Sequence, residues 1–106
     1  MNLPAARRKT VSGAFRDGMR TFPGYSSCSP HFDIANIGAG EWQILHVPSG
    51  LCKMTLNSLT KARLMCGALS GLPFDWSKPQ EWATWQEQNQ WLMPWFRAAG
   101  MVMYRI

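Results

Sequence analysis

The sequence predicts an α+β domain: a small antiparallel sheet, built from a β-hairpin and a candidate C-terminal strand, packed against two or three helices. Three observations carry this reading. Two apolar runs, residues 42–47 and 51–56, flank Pro48-Ser49-Gly50. A capped segment of helical periodicity follows and stops at Gly71-Leu72-Pro73. A second periodic segment begins at Ser77.

The hairpin comes first. Pro48 pre-sets φ for a type I turn, and Gly50 supplies the left-handed residue of a G1 bulge. A three-residue loop of this kind pairs Val47 with Leu51, His46 with Cys52, Ile44 with Met54 and Trp42 with Leu56. One face then carries Trp42, Ile44, His46, Cys52, Met54 and Leu56, and makes the better core. The other carries Gln43, Leu45, Val47, Leu51, Lys53 and Thr55. A slip of one residue would exchange the two sets. Leu45, Val47 and Leu51 remain as an apolar patch that needs a second layer or a partner.

The helix after the hairpin starts near Asn57 or Ser58, either of which can accept a first-turn N–H. Leu59, Ala62, Cys66 and Leu69 share its buried line, with Met65 alongside. Gly71 suits a left-handed C-terminal cap, and Pro73 blocks continuation. The second helix has capping-box spacing at Ser77 and Gln80, and Pro94 interrupts it. Trp82 and Trp85 belong to its core face, while Trp91 and Trp95 lie on a separate stripe. Residues 101–106 are the candidate final strand.

The N-terminal region reads differently. Val11, Phe15, Met19 and Phe22 recur at helix-like intervals, although Gly13 and Gly18 each weaken a helix by about 1 kcal/mol. Residues 1–20 are therefore expected to be a basic arm or docking helix, with 21–106 as a single α+β domain. Residues 23–40, rich in Gly, Pro and Ser, read as loop.

Composition narrows the function classes. The chain has 106 residues, enough for one core, and carries a net charge of +5. Arg7, Arg8, Lys9, Arg16 and Arg20 stand against Asp17 in the first twenty residues, so the excess belongs to the front of the chain. Such a surplus attracts phosphates, anionic lipid heads or an acidic protein face. Cys28, Cys52 and Cys66 cannot all pair within one chain, which fits free thiols in a reducing, cytoplasmic setting. No apolar run reaches the roughly 18–20 residues of a membrane span.

Motifs for chemistry are weak. Cys28-x-x-His31 has ligand-like spacing, but zinc needs a second close pair, and loop and core thiols explain the same residues. Cys28 or Ser49 can be drawn beside a histidine as a nucleophile, yet His46 reads as a satisfied histidine at the core edge. The carboxylates are scattered, and Gly38-x-Gly40 precedes a strand rather than a helix. No metal, cofactor or catalytic residue is expected.

The leading expectation is a non-enzymatic binding protein that contacts nucleic acid, or a nucleic-acid-associated complex. Its contacts would be Arg7, Arg8, Lys9, Arg16, Arg20, Lys53, Lys61 and Arg63. The second is an inhibitor or adaptor, of the kind a phage or plasmid encodes. It would dock on a protein with an acidic surface through Leu45, Val47, Leu51, Trp91 and Trp95. The third is a small metal-dependent or cysteine hydrolase.

Overall fold

The computed structural model describes residues 7–15, 18–27, 29–72 and 74–78, together with 87, 88, 90, 93, 94, 97 and 98. It is a five-stranded antiparallel sheet with a helix packed on it, and chain neighbours are sheet neighbours throughout. The strands are β1 (Arg8–Phe15), β2 (Gly18–Ser26), β3 (Phe32–Gly38), β4 (Glu41–His46) and β5 (Cys52–Leu56), and the helix is α1 (Leu59–Ser70). This overturns the expected small sheet covered by two or three helices: among the described residues, five strands form the sheet and α1 packs on it. The candidate strand at 101–106 lies wholly outside the described residues, and the second helix largely so.

The missing strands were concealed at the front of the chain. Val11 and Phe22 do belong together, but as partners across the β1–β2 ladder rather than as turns of one helix. Thr10, Val11 and Thr21 are β-branched, and Gly13, Gly18 and Pro23 disfavour a helix. Asp17-Gly18 is a hairpin signal at the join. β3 likewise runs through a stretch that reads as loop, because Phe32 and Ile34 alternate with polar residues over too short a span to stand out.

β2 changes partners along its length. Its first part pairs with β1 alone, whereas Gly24, Tyr25 and Ser26 also pair with Ala35, Ile34 and Asp33 of β3. At the join, a Cβ on Gly24 would collide with the Ile34 carbonyl oxygen and press on the Val11 methyls. Glycine thus permits a bend, and the β1–β2 hairpin crosses the far side of the sheet. There the Ala14 N–H donates to the Gly50 carbonyl at 2.8 Å.

The sheet therefore has a core on each side. On the helix side, Phe32, Ile34 and Ile44 pack against Ala62, Met65, Cys66 and Leu69 of α1, with Trp76 closing the layer. On the far side, Val11, Ala35 and Leu45 pack together, joined by Phe22, Ile37 and Cys52. The Trp76 indole N–H donates to the Leu69 carbonyl at 2.9 Å, so its burial leaves no donor unmet.

The β4–β5 hairpin keeps the expected register at Trp42↔Leu56 and Ile44↔Met54, and then departs from it. A bulge sets Cys52 opposite Leu45 and leaves Lys53 as the extra residue. The expected faces are corrected accordingly. Cys52 joins the far-side core, Leu51 packs on the helix-side core, and Lys53 turns in toward Trp76. His46 bonds to Leu51 rather than Cys52, with its N–H on the Leu51 carbonyl at 2.9 Å. Gly50 takes the left-handed conformation its place requires (φ 71°).

α1 starts at Ser58, whose hydroxyl accepts the Lys61 N–H at 3.1 Å. Gly71 ends it in a right-handed conformation (φ −81°), not the left-handed one expected, with its N–H on the Ala68 carbonyl.

Candidate nucleic-acid interface

Folding β1 into the sheet changes what the basic residues are. Arg8 and Lys9 stand on a strand, with backbone pairs Arg8↔Tyr25 and Lys9↔Gly24, and Arg7 precedes them. The Arg7 carbonyl is held by the Ser26 N–H at 3.0 Å. All three basic side chains are exposed. Lys9 reaches Asp33 on β3 at 3.0 Å, so part of its charge is already answered.

Beside them lies an open cleft of about 470 Å³, lined by Arg8, Lys9, Thr10, Pro23, Gly24, Tyr25 and Asn36. It sits where β2 bends. The Tyr25 ring lies 5.8 Å from that of Trp42, tilted by 50°, and both residues are half-buried. Asn36 stands across from Trp42 in the β3–β4 ladder. Its side-chain oxygen accepts the Gly38 N–H at 3.1 Å, which leaves its amide nitrogen to donate elsewhere. The cleft thus combines a guanidinium group, an ammonium, two hydroxyls, an amide and an aromatic ring, with Arg7 preceding Arg8 in the chain and the Trp42 ring beside Tyr25. α1 packs on β3, β4 and β5, and the cleft lies toward the other end of the sheet.

The other expected contacts are scattered. Arg20 pairs with Gly13, five residues along β1 from Arg8 and so roughly 17 Å away. Lys61 and Arg63 belong to α1, where the Lys61 ammonium reaches the Asn57 side chain at 3.4 Å and the Arg63 Nε is buried. Lys53 is only 5% exposed and lies under Trp76, where no phosphate can reach it. Arg16 lies outside the described residues.

The apolar patch expected for protein docking does not assemble. Leu45 is buried in the far-side core and Leu51 is half-buried on the helix side, which leaves Val47 exposed without them. Trp91 and Trp95 lie outside the described residues.

The histidine drawn beside Ser49 does meet it, for a reason the turn supplies. The Ser49 hydroxyl lies 2.7 Å from His46 Nδ1, and His46 Nε2 lies 2.6 Å from the Trp76 carbonyl. A carbonyl only accepts, so Nε2 carries the proton and Nδ1 accepts from Ser49. The imidazole is fully enclosed, and it ties the β4–β5 turn to the segment after α1. Burial holds its pKa below the usual histidine value; the Trp76 carbonyl opposes this, and nearby Lys53 and His31 reinforce it. Burial also pushes the Cys52 thiol up, away from the reactive thiolate. Among the described residues, no three His, Cys, Asp or Glu side chains gather as a metal would require. Cys28, the partner of His31 in the ligand-like spacing, lies outside them. No helix among them is long and apolar enough to cross a membrane.

Sequence reasoning missed Tyr25 and Asn36 and took Trp42 for core alone. Pro23-Gly24-Tyr25 reads as a turn. Only the β1–β2 pairing shows that Tyr25 stands beside Arg8. No protein-family model, curated protein or solved structure matches this chain.

Proposed function

We propose that this protein is a non-enzymatic nucleic-acid-binding module whose phosphate contacts come from Arg7, Arg8 and Lys9 at the start of β1. The observation that carries this reading is the placement of these consecutive cations beside a cleft that contains Tyr25 and adjoins Trp42. Cations held in place on a paired strand meet phosphates with less ordering entropy than a free tail would lose. Arginine suits the task because its planar fork can hold two phosphate oxygens at once.

The test is the salt dependence of binding. The intact chain is titrated against a labelled oligonucleotide at two salt concentrations. Arg8 and Lys9 belong to the sheet, so the test uses substitutions that leave the strand in place. Affinity is expected to fall steeply with salt, with a log–log slope set by the number of phosphates neutralised. Arg7→Gln/Arg8→Gln should shallow that slope by about two on a duplex probe, somewhat less on a single strand. Absence of binding at low salt would refute the reading.

A further inference from the structure

We infer that the cleft at the β2 bend seats one unpaired base of a single-stranded nucleic acid, against Tyr25. The inference rests on the nucleic-acid reading above and adds to it the form of the ligand. Three features of the site point the same way.

The first is the aromatic surface. Tyr25 lines the cleft and is half-buried, with the Trp42 ring 5.8 Å away and tilted by 50°. A ring braced in this way offers a fixed π-face, which every nucleobase can stack upon. Bases inside a duplex are already stacked on one another and have no such face to give.

The second is size. At about 470 Å³ the cleft is in the range of small-ligand sites, roughly 300–1,000 Å³. It suits one nucleotide unit, not the width of a double helix.

The third is polarity. Arg8 pairs directly with Tyr25 across the β1–β2 ladder, so a base on the ring brings its phosphate toward the guanidinium. The Thr10 hydroxyl and the Asn36 amide border the same space and can meet a base edge. Lys9 lines the same cleft, its ammonium held by the Asp33 carboxylate.

The experiment compares a labelled 15-nucleotide oligothymidine with a mixed-sequence duplex of the same length, using the full chain. The single strand is expected to bind at least about tenfold more tightly. Tyr25→Leu keeps the bulk of the side chain and removes its π-face. It should weaken single-strand binding about tenfold or more, and by a clearly larger factor than it weakens duplex binding. Equal affinity for both forms, unaffected by Tyr25→Leu, would overturn the inference while leaving the nucleic-acid reading intact. Loss of all binding at low salt would sink that reading itself. A second measurement needs no variant. Photo-cross-linking of the unmodified protein to a bromouracil-substituted single strand should place the adduct on Tyr25 or Trp42. Adducts confined to other peptides would overturn the proposal.

Discussion

The ammonium group of Lys53 lies 5.5 Å from the centre of the Trp76 ring, on the core side of the bulged strand β5. A one-residue insertion in the ladder turns a residue expected outside toward the inside. The side chain is 5% exposed, and its pKa falls to about 8 because burial penalises the charged form; Cys52 opposes the fall. The aromatic face compensates in part.

This makes stability rise in alkali. Between pH 8 and 10.5 the unfolded chain holds the Lys53 proton more tightly than the folded one, so raising pH through that window favours the fold. The gain should be on the order of 2 kcal/mol. Lys53→Met keeps the stem and removes the charge. It should unfold at equal or higher denaturant at pH 7 and lack the alkaline rise. Urea midpoints at pH 7.5 and 10 for both proteins check this. An unchanged alkaline rise in the variant would exclude Lys53 as its source.

His46 acts at the other end of the pH scale. Its pKa is depressed in the fold, so the unfolded chain takes up a proton first as pH falls below about 6.5. Stability is full above that value and declines below it, until the folded state protonates as well. His46→Phe fills similar space but strands the Trp76 carbonyl and the Ser49 hydroxyl. It should cost about 2–4 kcal/mol at pH 7.5 and flatten the decline between pH 6.5 and 5. Thermal unfolding across that range is the measurement.

The parts of the fold legible in the sequence are those where local signals agree with the global answer. The left-handed Gly50 after Pro48-Ser49 and the Ser58 cap before an apolar-periodic run are stated by residues in contact with each other, but the loop length is not: His46 and Leu51 close a loop of four residues where the sequence predicts three, between Val47 and Leu51. The Trp42↔Leu56 and Ile44↔Met54 pairs follow from alternation. The bulge at Lys53 does not, because it depends on whether Trp76, far along the chain, is there to receive the side chain. The β1–β2 hairpin was hidden for another reason. Spacings of three and four residues among Val11, Phe15, Met19 and Phe22 suit a helix, and the same residues suit a hairpin in which Phe15 pairs with Gly18. Tyr25 and Arg8 come together only through that reversal, so the candidate site was illegible while its basic residues were in plain view.

Gly24 should be intolerant of any side chain. Its place between Lys9 and Ala35 is where β2 bends, and even a methyl group would meet the Ile34 carbonyl. The obstacle is backbone, which cannot rotate away. Gly24→Ala is expected to destabilise by about 3 kcal/mol or more. Gly67→Ala, on α1 with open space around it, should be neutral or stabilising. A chemical-denaturation comparison of the two substitutions separates crowding from backbone entropy.

The last prediction concerns Asp33, whose carboxylate lies 3.0 Å from the Lys9 ammonium at the edge of the cleft. If phosphates bind at β1, Asp33 competes with them for Lys9 and repels them as well. Asp33→Asn keeps the shape of the side chain and removes the charge. It should strengthen oligonucleotide binding at low salt by about three- to tenfold and steepen the salt dependence by up to one phosphate equivalent. The ion pair is partly exposed on the Lys9 side, so the loss of stability should stay within about 1 kcal/mol. Lys9→Gln should weaken binding less than Arg8→Gln, because Lys9 begins with its charge already engaged. Affinities of the three variants for one oligonucleotide, at two salt concentrations, decide the matter. Weaker binding by Asp33→Asn would mean that phosphates do not approach this edge of the sheet.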